Sequence, residues 1–407
     1  MKVVEINSVP YGSTGTIASS ISKVSKKYGE SYFCYSWTKN KKNHVDTDEI
    51  LIGSFIEKLF HVIFGKITGL EGTFSFFSTR RLISKIDKIK PDIVHLHNLH
   101  CWYINYKVLF DYLKNEKIQV VWTLHDCWAF TGHCPYFEIV NCEKWKTCCY
   151  QCPIYKEYPQ SLFDNSKKMY LKKKKIFTSL DYNKLCVVTP SLWLSKLVKE
   201  SFLKKYKCFT INNGIDLNIF KPKKSNFREK YNIGNKFIIL GVSMDWGIRK
   251  GLDVFIKLSN DLNDNFKIVL VGTNDEIDKI LPKSIISIHR TYSKSELAEI
   301  YSTADLFVNP TREDNFPTVN IEAIACGTKV LTYNTGGSYE MLDETCGFIV
   351  DKNDYIGLKN KIISISSNYV RCNKERMKKA EEYNENVKYL EYLDLFNKLM
   401  ENYDKNE

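Results

Sequence analysis

The sequence predicts an α/β protein of two domains. Its 407 residues give room for two ordinary domains, and a hydrophobic fraction of 43% is enough to form their cores. Short β-prone segments alternate with helical ones. Within residues 308–332, a strand end, a polar loop, a helix and a new strand follow one another. In such α/β units, ligands bind at the carboxyl ends of the strands, so polar residues at those positions are candidate site residues.

Composition limits the compartment and the partners. Residues 1–12 predict a strand and a glycine turn rather than a secretory signal, and no apolar run reaches the roughly 18 residues of a membrane span. We therefore expect a cytoplasmic protein whose 13 cysteines are reduced or bind metal. The net charge of +12 suits a polyanion or an anionic membrane surface, but a lysine-rich composition explains it equally well. We expect no nucleic-acid partner.

The first predicted unit is a strand over residues 2–8, a glycine turn with Gly15, and a helix over residues 17–28. Glycine lets the backbone approach a ligand, and a helix N-terminus attracts anions. Glycine in such a turn also serves geometry alone, so both interpretations stand.

Two further predicted strands end in histidines. Residues 93–98 alternate apolar side chains with His95 and His97, which therefore share one face. For this pair we favour hydrogen bonding or acceptor contact over metal binding. His125 follows the strand at residues 119–124, a position that suits chemistry more than packing. A core histidine bonded to the backbone is the alternative for His125.

A cysteine-dense loop comes next. Cys149 and Cys152 have zinc-knuckle spacing, and Cys134 and Cys142 complete four ligands. A long irregular loop needs a constraint, and structural zinc supplies about 10–16 kcal/mol in small peptides. The alternative is a cluster of free, partly buried thiols.

The sequence predicts a helix over residues 169–177, with a basic face formed by the four lysines at 172–175. Flanked by Ile176, Phe177, Phe202 and Leu203, this face could lie on anionic lipid headgroups. A solvated charged helix is the default interpretation.

The second half begins with a strand over residues 236–242 and a cationic loop. Arg249 and Lys250 stand with Gly251 just before a predicted helix. Two cations beside a helix N-terminus indicate a bound anion, and an arginine fork with a lysine point charge suits a diphosphate. Surface charge is the alternative.

The loop within residues 308–332 carries the remaining candidates. Asp314 stands in this loop, and Glu322 lies in the following helix. The amides of residues 315–318 meet the helix N-terminus, which favours a phosphate, and a nearby carboxylate suits sugar hydroxyls. Glu322 stands among apolar residues, so its carboxylate needs a partner. A solvated acidic face is the alternative.

Asp314 and Glu322, with seven residues between them, and the Ala-Ile-Ala-Cys-Gly-Thr segment after them resemble the acidic-x7-Glu motif of glycosyltransferase family 4. These are the retaining nucleotide-sugar transferases of the GT-B fold. Pro-Asp-Ile-Val-His-Leu-His at residues 91–97 and Asn-Gly-Ile-Asp at residues 213–216 resemble further family elements. Two features depart from the pattern. The usual first acid is Glu followed by Gly-Phe-Gly, and the usual arginine after the strand is replaced by Ser243 and Met244.

The resemblance implies two Rossmann-like domains facing each other across a cleft. Residues 1–215, with a cysteine-rich insertion at about 127–153, would form the acceptor side. Residues 216–388 would bind the nucleotide-sugar, and a final helix over residues 389–407 would pack back on the first domain.

The resemblance also implies roles for the candidate residues. The expected catalytic residues are His125 and Asp314, and the expected donor-binding residues are Gly15, Arg249, Lys250, Asn315, Phe316, Thr318 and Glu322. Arg249 and Lys250 would neutralise the diphosphate, so the resemblance implies that catalysis needs no cofactor.

The expected function is retaining transfer of a sugar from a UDP- or GDP-sugar to a glycan or lipid-linked acceptor, in capsule, O-antigen or exopolysaccharide synthesis. Such an enzyme would be cytoplasmic or peripheral at the inner face of the plasma membrane. The altered motifs leave room for a catalytically inactive scaffold or nucleotide-sugar sensor, and a phosphorylase or sugar synthase of this fold is the enzymatic alternative.

Overall fold

A computed structural model describes residues 1–38, 48–368 and 374–404. The chain divides into two compact units, Met1–Asn212 with Lys388–Glu407 and Asn213–Val387. The sequence places the two boundaries after residues 215 and 388.

The first unit contains a parallel sheet of seven strands in the order β3-β2-β1-β4-β5-β6-β7. The strands are β1 Lys2–Asn7, β2 Glu30–Ser36, β3 Asp48–Ile52, β4 Ile93–Leu96, β5 Gln119–Thr123, β6 Leu185–Thr189 and β7 Lys207–Thr210. The helices are α1 Gly12–Tyr28, α2 Phe55–Thr68, α3 Phe76–Ile89, α4 Tyr106–Asn115, α5 Ser166–Phe177 and α6 Leu192–Glu200. Strands β4, β5 and β6 are buried along their whole length, as expected for a parallel sheet covered on both faces.

The second unit contains a parallel sheet of six strands in the order β10-β9-β8-β11-β12-β13. The strands are β8 Phe237–Val242, β9 Phe266–Val271, β10 Ile286–Ile288, β11 Leu306–Asn309, β12 Lys329–Tyr333 and β13 Gly347–Val350. The helices are α7 Phe227–Lys230, α8 Leu252–Asp261, α9 Asp275–Asp278, α10 Lys294–Thr303, α11 Thr318–Ala325, α12 Tyr355–Ser367 and α13 Lys374–Glu381. The last helix, α14 Glu385–Asp404, begins at the end of this unit. Both sheets have the Rossmann-like reversal of strand order, so the predicted α/β class is confirmed.

Helix α14 belongs to the first unit from Lys388 onward. Tyr389, Tyr392 and Phe396 are buried there, in one apolar cluster with Val3 of β1 and Ile21 of α1. The end of the chain therefore completes the core of the first unit.

Helix α1 begins at Gly12, earlier than the sequence predicts, so Gly15 lies in its first turn. A Cβ at Gly15 would lie 2.6 Å from the carbonyl oxygen of Val9. The close approach of the preceding backbone is therefore sufficient reason for glycine at this position.

Aromatic packing anchors the cysteine-rich loop. Two short 3-10 helices, Trp128–Phe130 and Lys144–Lys146, lie in it. Trp145 is buried, and its ring centroid lies 5.2 Å from that of Phe130 and 5.1 Å from that of Phe137. The constraint that the loop needs is thus supplied at least in part by its own aromatic side chains.

The predicted basic face of α5 is wrong in two respects. Lys173 is buried and donates hydrogen bonds to the carbonyls of Trp128 at 2.8 Å and Thr131 at 3.1 Å. Burial lowers the pKa of Lys173 to about 7. The apolar residues expected beside the lysines, Ile176, Phe177 and Leu203, are buried in the core. A run of lysines in a helix does not show which of them points inward. A long lysine side chain can reach buried carbonyl groups and donate hydrogen bonds to them.

Helix α2 instead presents an apolar row to solvent. The exposed side chains are Phe55, Ile56, Leu59, Phe60, Ile63, Phe64 and Ile67. Only its opposite side, with His61 and Gly65, is buried. Among the helices of the described segments, none combines the length and apolarity that crossing a membrane requires.

Replacing Trp145 with alanine tests how the loop is held. We expect Trp145→Ala to lower the free energy of unfolding by about 3–5 kcal/mol, because it removes a buried aromatic side chain and leaves a cavity. Urea unfolding followed by circular dichroism measures this change. Tyr150→Ala, at a position that is 48% exposed in the same loop, is the control and should change stability little. Equal small effects in both variants would show that Trp145 is not an anchor.

Candidate active site

In the second unit, two loops meet where the strand order reverses. The loop with Arg249 and Lys250 follows β8, and the loop with Asp314 follows the neighbouring strand β11. The carboxyl ends of strands at such a reversal are where ligands bind in open parallel sheets. The fold therefore places these three predicted residues at one position.

Backbone contacts join these two loops. The amide of Arg312 donates to the carbonyl of Arg249 at 2.8 Å, and Thr311 Oγ1 donates to the same carbonyl at 3.3 Å. Gly251 has a φ of +74°, and a Cβ there would lie 2.6 Å from the carbonyl oxygen of Pro310. Glycine at 251 thus allows both the left-handed conformation and the close packing of the loops.

Arg312 strengthens the junction through its side chain. Its guanidinium makes two hydrogen bonds to Asp253, each 2.8 Å long, and another to the carbonyl of Ile248 at 2.5 Å. A planar fork suits such a bidentate contact. Sequence reasoning did not single out Arg312, although a cation in the candidate loop was a usable signal.

The cations of the first loop have carboxylate partners. Lys250 Nζ lies 2.5 Å from Asp314 Oδ2, and both side chains are largely buried. Arg249 pairs with Asp245 at 3.0 Å and donates to the carbonyl of Glu313 at 3.2 Å. The structure therefore brings Arg249, Lys250 and Asp314 together.

A glycine turn fixes the backbone of Asp314. The amide of Gly337 donates to the Asp314 carbonyl at 3.3 Å, and a Cβ at Gly336 would lie 1.8 Å from that oxygen. The turn after β12 thus packs on the candidate loop, which is why a larger residue at 336 would displace Asp314.

The predicted donor-binding residues just before α11 have buried side chains. Asn315 and Phe316 are buried, and the Phe316 ring lies 6.0 Å from that of Tyr383, in the core of the second unit. Thr318 is half-buried and begins α11. The helix N-terminus is therefore close to Asp314 in the chain, as the anion-binding hypothesis requires.

The structure shows the hydrogen-bond partner of Glu322, which could not be identified from the sequence. Tyr301 of α10 donates its hydroxyl to Glu322 Oε2 at 3.1 Å. Burial raises the pKa of Glu322 to about 7, while the bonds from Tyr301 and Thr318 and the charge of Lys294 oppose that shift. Its proton occupancy therefore changes near neutral pH.

In the first unit, His125 belongs to a buried chain of hydrogen bonds. His125 Nε2 lies 3.0 Å from His97 Nδ1, and His97 Nε2 lies 2.9 Å from Glu5 Oε2. Burial lowers the pKa of His125 to about 4 and that of His97 to about 3. A carboxylate thus orients one imidazole, which orients the next. Glu5 was missed, although a charged residue in the apolar strand β1 signals a buried partner.

The metal hypotheses have different geometries. Among the described residues, Glu5, His95 and His97 are a group whose ligand atoms lie within 4.8 Å of one another, and no such group includes the four cysteines. Cys149 Sγ accepts a hydrogen bond from the Gly132 amide at 3.1 Å. Zinc at Cys134, Cys142, Cys149 and Cys152 stays a prediction, and metal analysis of the purified protein tests it.

Two known families match the chain. The family "Glycosyltransferase Family 4" matches residues 57–219, and the family "Glycosyl transferases group 1" matches residues 223–388. Among solved structures, the chain is similar to sucrose-phosphate synthase from Thermosynechococcus elongatus, with a TM-score of 0.73 and 18% identity over 98% of this chain and 99% of that one. It is also similar to HepE of Anabaena in complex with UDP-glucose, with a TM-score of 0.67 and 12% identity over 98% and 100% of the two chains.

These matches define a class of two-domain transferases. The chain belongs to the group 1 glycosyltransferases of the GT-B fold, as the sequence predicts.

Curated relatives carry the same class name. WcaC of Escherichia coli K12, assigned to colanic acid biosynthesis as a glycosyl transferase, is 25% identical over 66% of this chain and 66% of its own length. The N,N'-diacetylbacillosaminyl-diphospho-undecaprenol alpha-1,3-N-acetylgalactosaminyltransferase of Campylobacter jejuni is 28% identical over 51% of this chain and 59% of its own length. The chain thus matches less than two thirds of the length of either relative.

The raised pKa of Glu322 predicts a stability change with pH. Between about pH 4.5 and about pH 7, Glu322 keeps its proton in the native state but loses it in the unfolded state. The free energy of unfolding therefore falls as the pH rises through this range. We expect Glu322→Gln to match the parent at pH 4.5 and to be more stable by about 1–3 kcal/mol at pH 8. Urea unfolding at both pH values measures this, with exposed Glu344→Gln as the control. A difference that does not change with pH would contradict the assignment.

Proposed function

We propose that this protein transfers a sugar, with retention of configuration, from a nucleotide-diphospho-sugar to a glycan or lipid-linked acceptor of a cell-surface polysaccharide. The observation that carries this proposal is the meeting of Arg249, Lys250 and Asp314 at the strand reversal of the second unit. The names of the relatives support the polysaccharide context, and the UDP-glucose complex of HepE supports a nucleotide-sugar donor.

In this proposal, the donor diphosphate binds Arg249 and Lys250. The Lys250–Asp314 pair, 2.5 Å long, holds the ammonium in place before the donor arrives. A diphosphate competes with Asp314 for that ammonium. Asp314 can then accept a hydrogen bond from a hydroxyl of the donor sugar. The amides at the start of α11 add the helix dipole, so negative charge on the leaving group is stabilised without a metal ion.

Glu322 accepts hydrogen bonds from the ribose hydroxyls, and the hydrogen bond from Tyr301 keeps the Glu322 carboxylate oriented. In the first unit, His97 and Glu5 hold His125, the other predicted catalytic residue, in one orientation. The departing phosphate oxygen takes the acceptor proton, so the mechanism needs no dedicated carboxylate base. Each of these roles uses a residue that a neighbouring side chain already holds in one orientation.

Loss of both cations should abolish donor use. In the parent, a nucleotide present at about 100 times its dissociation constant should add roughly 2.7 kcal/mol to stability in thermal unfolding with UDP, GDP or ADP. Arg249→Ala with Lys250→Ala should lose that shift and lower kcat/KM by at least about 100-fold, because two charged contacts to the leaving group disappear. Lys279→Ala, an exposed lysine paired with Glu276, is the control.

Near-normal turnover in the double variant would contradict the donor site. No shift of the parent with any nucleotide would favour the inactive scaffold instead.

For the acceptor side, we propose that α2, not α5, contacts the membrane. The apolar row of α2 is exposed, and Phe76 and Phe77 at the start of α3 are exposed as well. Arg81 of α3 pairs with Glu57 of α2 at 2.5 Å, and Arg80 lies 4.7 Å from the Phe76 ring. An apolar face bordered by arginines suits an anionic bilayer surface, where a lipid-linked acceptor would be found.

Polar substitutions on α2 test this contact. Phe60→Ser with Phe64→Ser should reduce binding to phosphatidylglycerol vesicles by about tenfold or more in co-sedimentation, because two exposed aromatic side chains no longer enter the interface. Lys174→Ala with Lys175→Ala on α5 is the control and should bind nearly as the parent does. If the α5 variant loses vesicle binding and the α2 variant keeps it, the membrane contact belongs to α5 instead.

A further inference from the structure

A second constellation of reactive groups lies in the first unit, outside the proposed transfer chemistry. It is built on Cys101, in the loop after β4, and its neighbour His100. His100 Nδ1 lies 3.3 Å from Cys101 Sγ, and His100 Nε2 lies 3.0 Å from Asp126 Oδ2. The imidazole thus contacts the thiol on one side and the carboxylate on the other. This is the arrangement in which an imidazole activates a cysteine.

The carboxylate and the thiol are both held by further bonds. Asp126 Oδ1 accepts a hydrogen bond from the Trp128 amide at 2.9 Å, which orients the carboxylate toward His100. The Tyr158 hydroxyl lies 3.0 Å from Cys101 Sγ and 2.7 Å from His100 Nδ1. His100 Nδ1 and the Tyr158 hydroxyl thus both lie within hydrogen-bond distance of the sulfur, and a donor at either position favours a thiolate.

The backbone at this point is constrained by a buried carboxylate. Cys101 and Trp102 have φ angles of +83° and +56°, which side-chain-bearing residues adopt at a cost. Glu71 Oε1 accepts the hydrogen bond of the Cys101 amide at 2.6 Å. Glu71 is 4% exposed, and its other oxygen, Oε2, has no hydrogen-bond partner among the described residues. Glu71 thus fixes the backbone beside the thiol.

The charges around the sulfur favour ionisation. Burial raises the pKa of the Cys101 thiol, but the charge and hydrogen bond of His100 outweigh burial and the net pKa is lowered. Burial lowers the pKa of His100, while Cys101 and Asp126 raise it well above its usual value. Glu71, Tyr158 and Lys173 are the other titratable groups of the cluster.

We propose that Cys101 is a site of oxidative modification, at which a thiolate–imidazolium pair reacts with hydrogen peroxide. The thiolate attacks one peroxide oxygen, the O–O bond breaks and an S–O bond forms. Sulfur is oxidised by two electrons to the sulfenic acid, and the peroxide is reduced. His100 gives its proton to the departing hydroxide, so that water leaves and a neutral imidazole remains.

One observation favours oxidation over acyl transfer at this thiol. An acyl-transfer site needs free amides for the oxyanion, but the Cys101 amide already donates to Glu71. The sulfur is also reachable, because Cys101 is only partly buried and Tyr158, which covers it, is 42% exposed. Asp126 directly follows His125, so oxidation would occur next to the candidate catalytic histidine. The proposal does not depend on the glycosyl-transfer activity.

The test compares thiols within one native chain. The reference is Cys208, which is partly buried and whose pKa is raised by burial. Iodoacetamide alkylation, quantified by peptide mass spectrometry at pH 6, should modify Cys101 at least about tenfold faster than Cys208, because only the thiolate reacts. With one equivalent of hydrogen peroxide and dimedone, the sulfenic adduct should form on Cys101 and be absent from Cys101→Ser.

Two variants separate activation from simple exposure. His100→Gln should reduce the alkylation rate of Cys101 at pH 6 by about tenfold or more, because the stabilising cation is lost. Tyr158→Phe keeps the imidazolium and the aromatic cover, so Cys101 should remain faster than Cys208. Equal rates for Cys101 and Cys208 in the parent, or an unchanged rate in a folded His100→Gln, would overturn the proposal.

Discussion

The hydrogen bond from the Arg312 amide to the Arg249 carbonyl is the contact on which the candidate donor site depends. It joins the loops of two neighbouring parallel strands, and Gly251 permits the close packing that the bond requires. With the loops joined, Lys250 reaches Asp314 although the two residues are distant in the sequence. Preorganised charge of this kind is what stabilises a developing anion, since little reorganisation is needed when the charge appears.

In the first unit, the candidate histidines are controlled by burial rather than by neighbouring cations. Glu5, His97 and His125 form a chain of hydrogen bonds in which burial lowers the pKa of both histidines. Neutral imidazoles in such a chain hold one another in fixed orientations. His100 and Asp126 lie at the carboxyl ends of the same two strands, β4 and β5, yet His100 has a raised pKa because a thiol and a carboxylate face it. Two histidine environments of opposite character thus lie side by side.

Much of this was predictable because it is local. Alternating strands and helices, the cations before α8 and the spacing between Asp314 and Glu322 are all properties of short segments, and they identified both the class and the candidate residues. Other features depend on partners far along the chain. Tyr301 as the partner of Glu322, Glu5 as the partner of His97, and the inward orientation of Lys173 could not be predicted, because the sequence does not state which elements pack together.

By itself, the sequence determined the α/β class, the family and the positions of most candidate side chains, since hydrophobic periodicity and short motifs encode them. Only the tertiary structure decided which charges are paired, which histidines are neutral, and that the apolar surface belongs to α2 rather than α5. The reason is physical. Ionisation and exposure depend on the dielectric environment and on neighbours in space, and a parallel sheet brings together the ends of strands that are far apart in the chain.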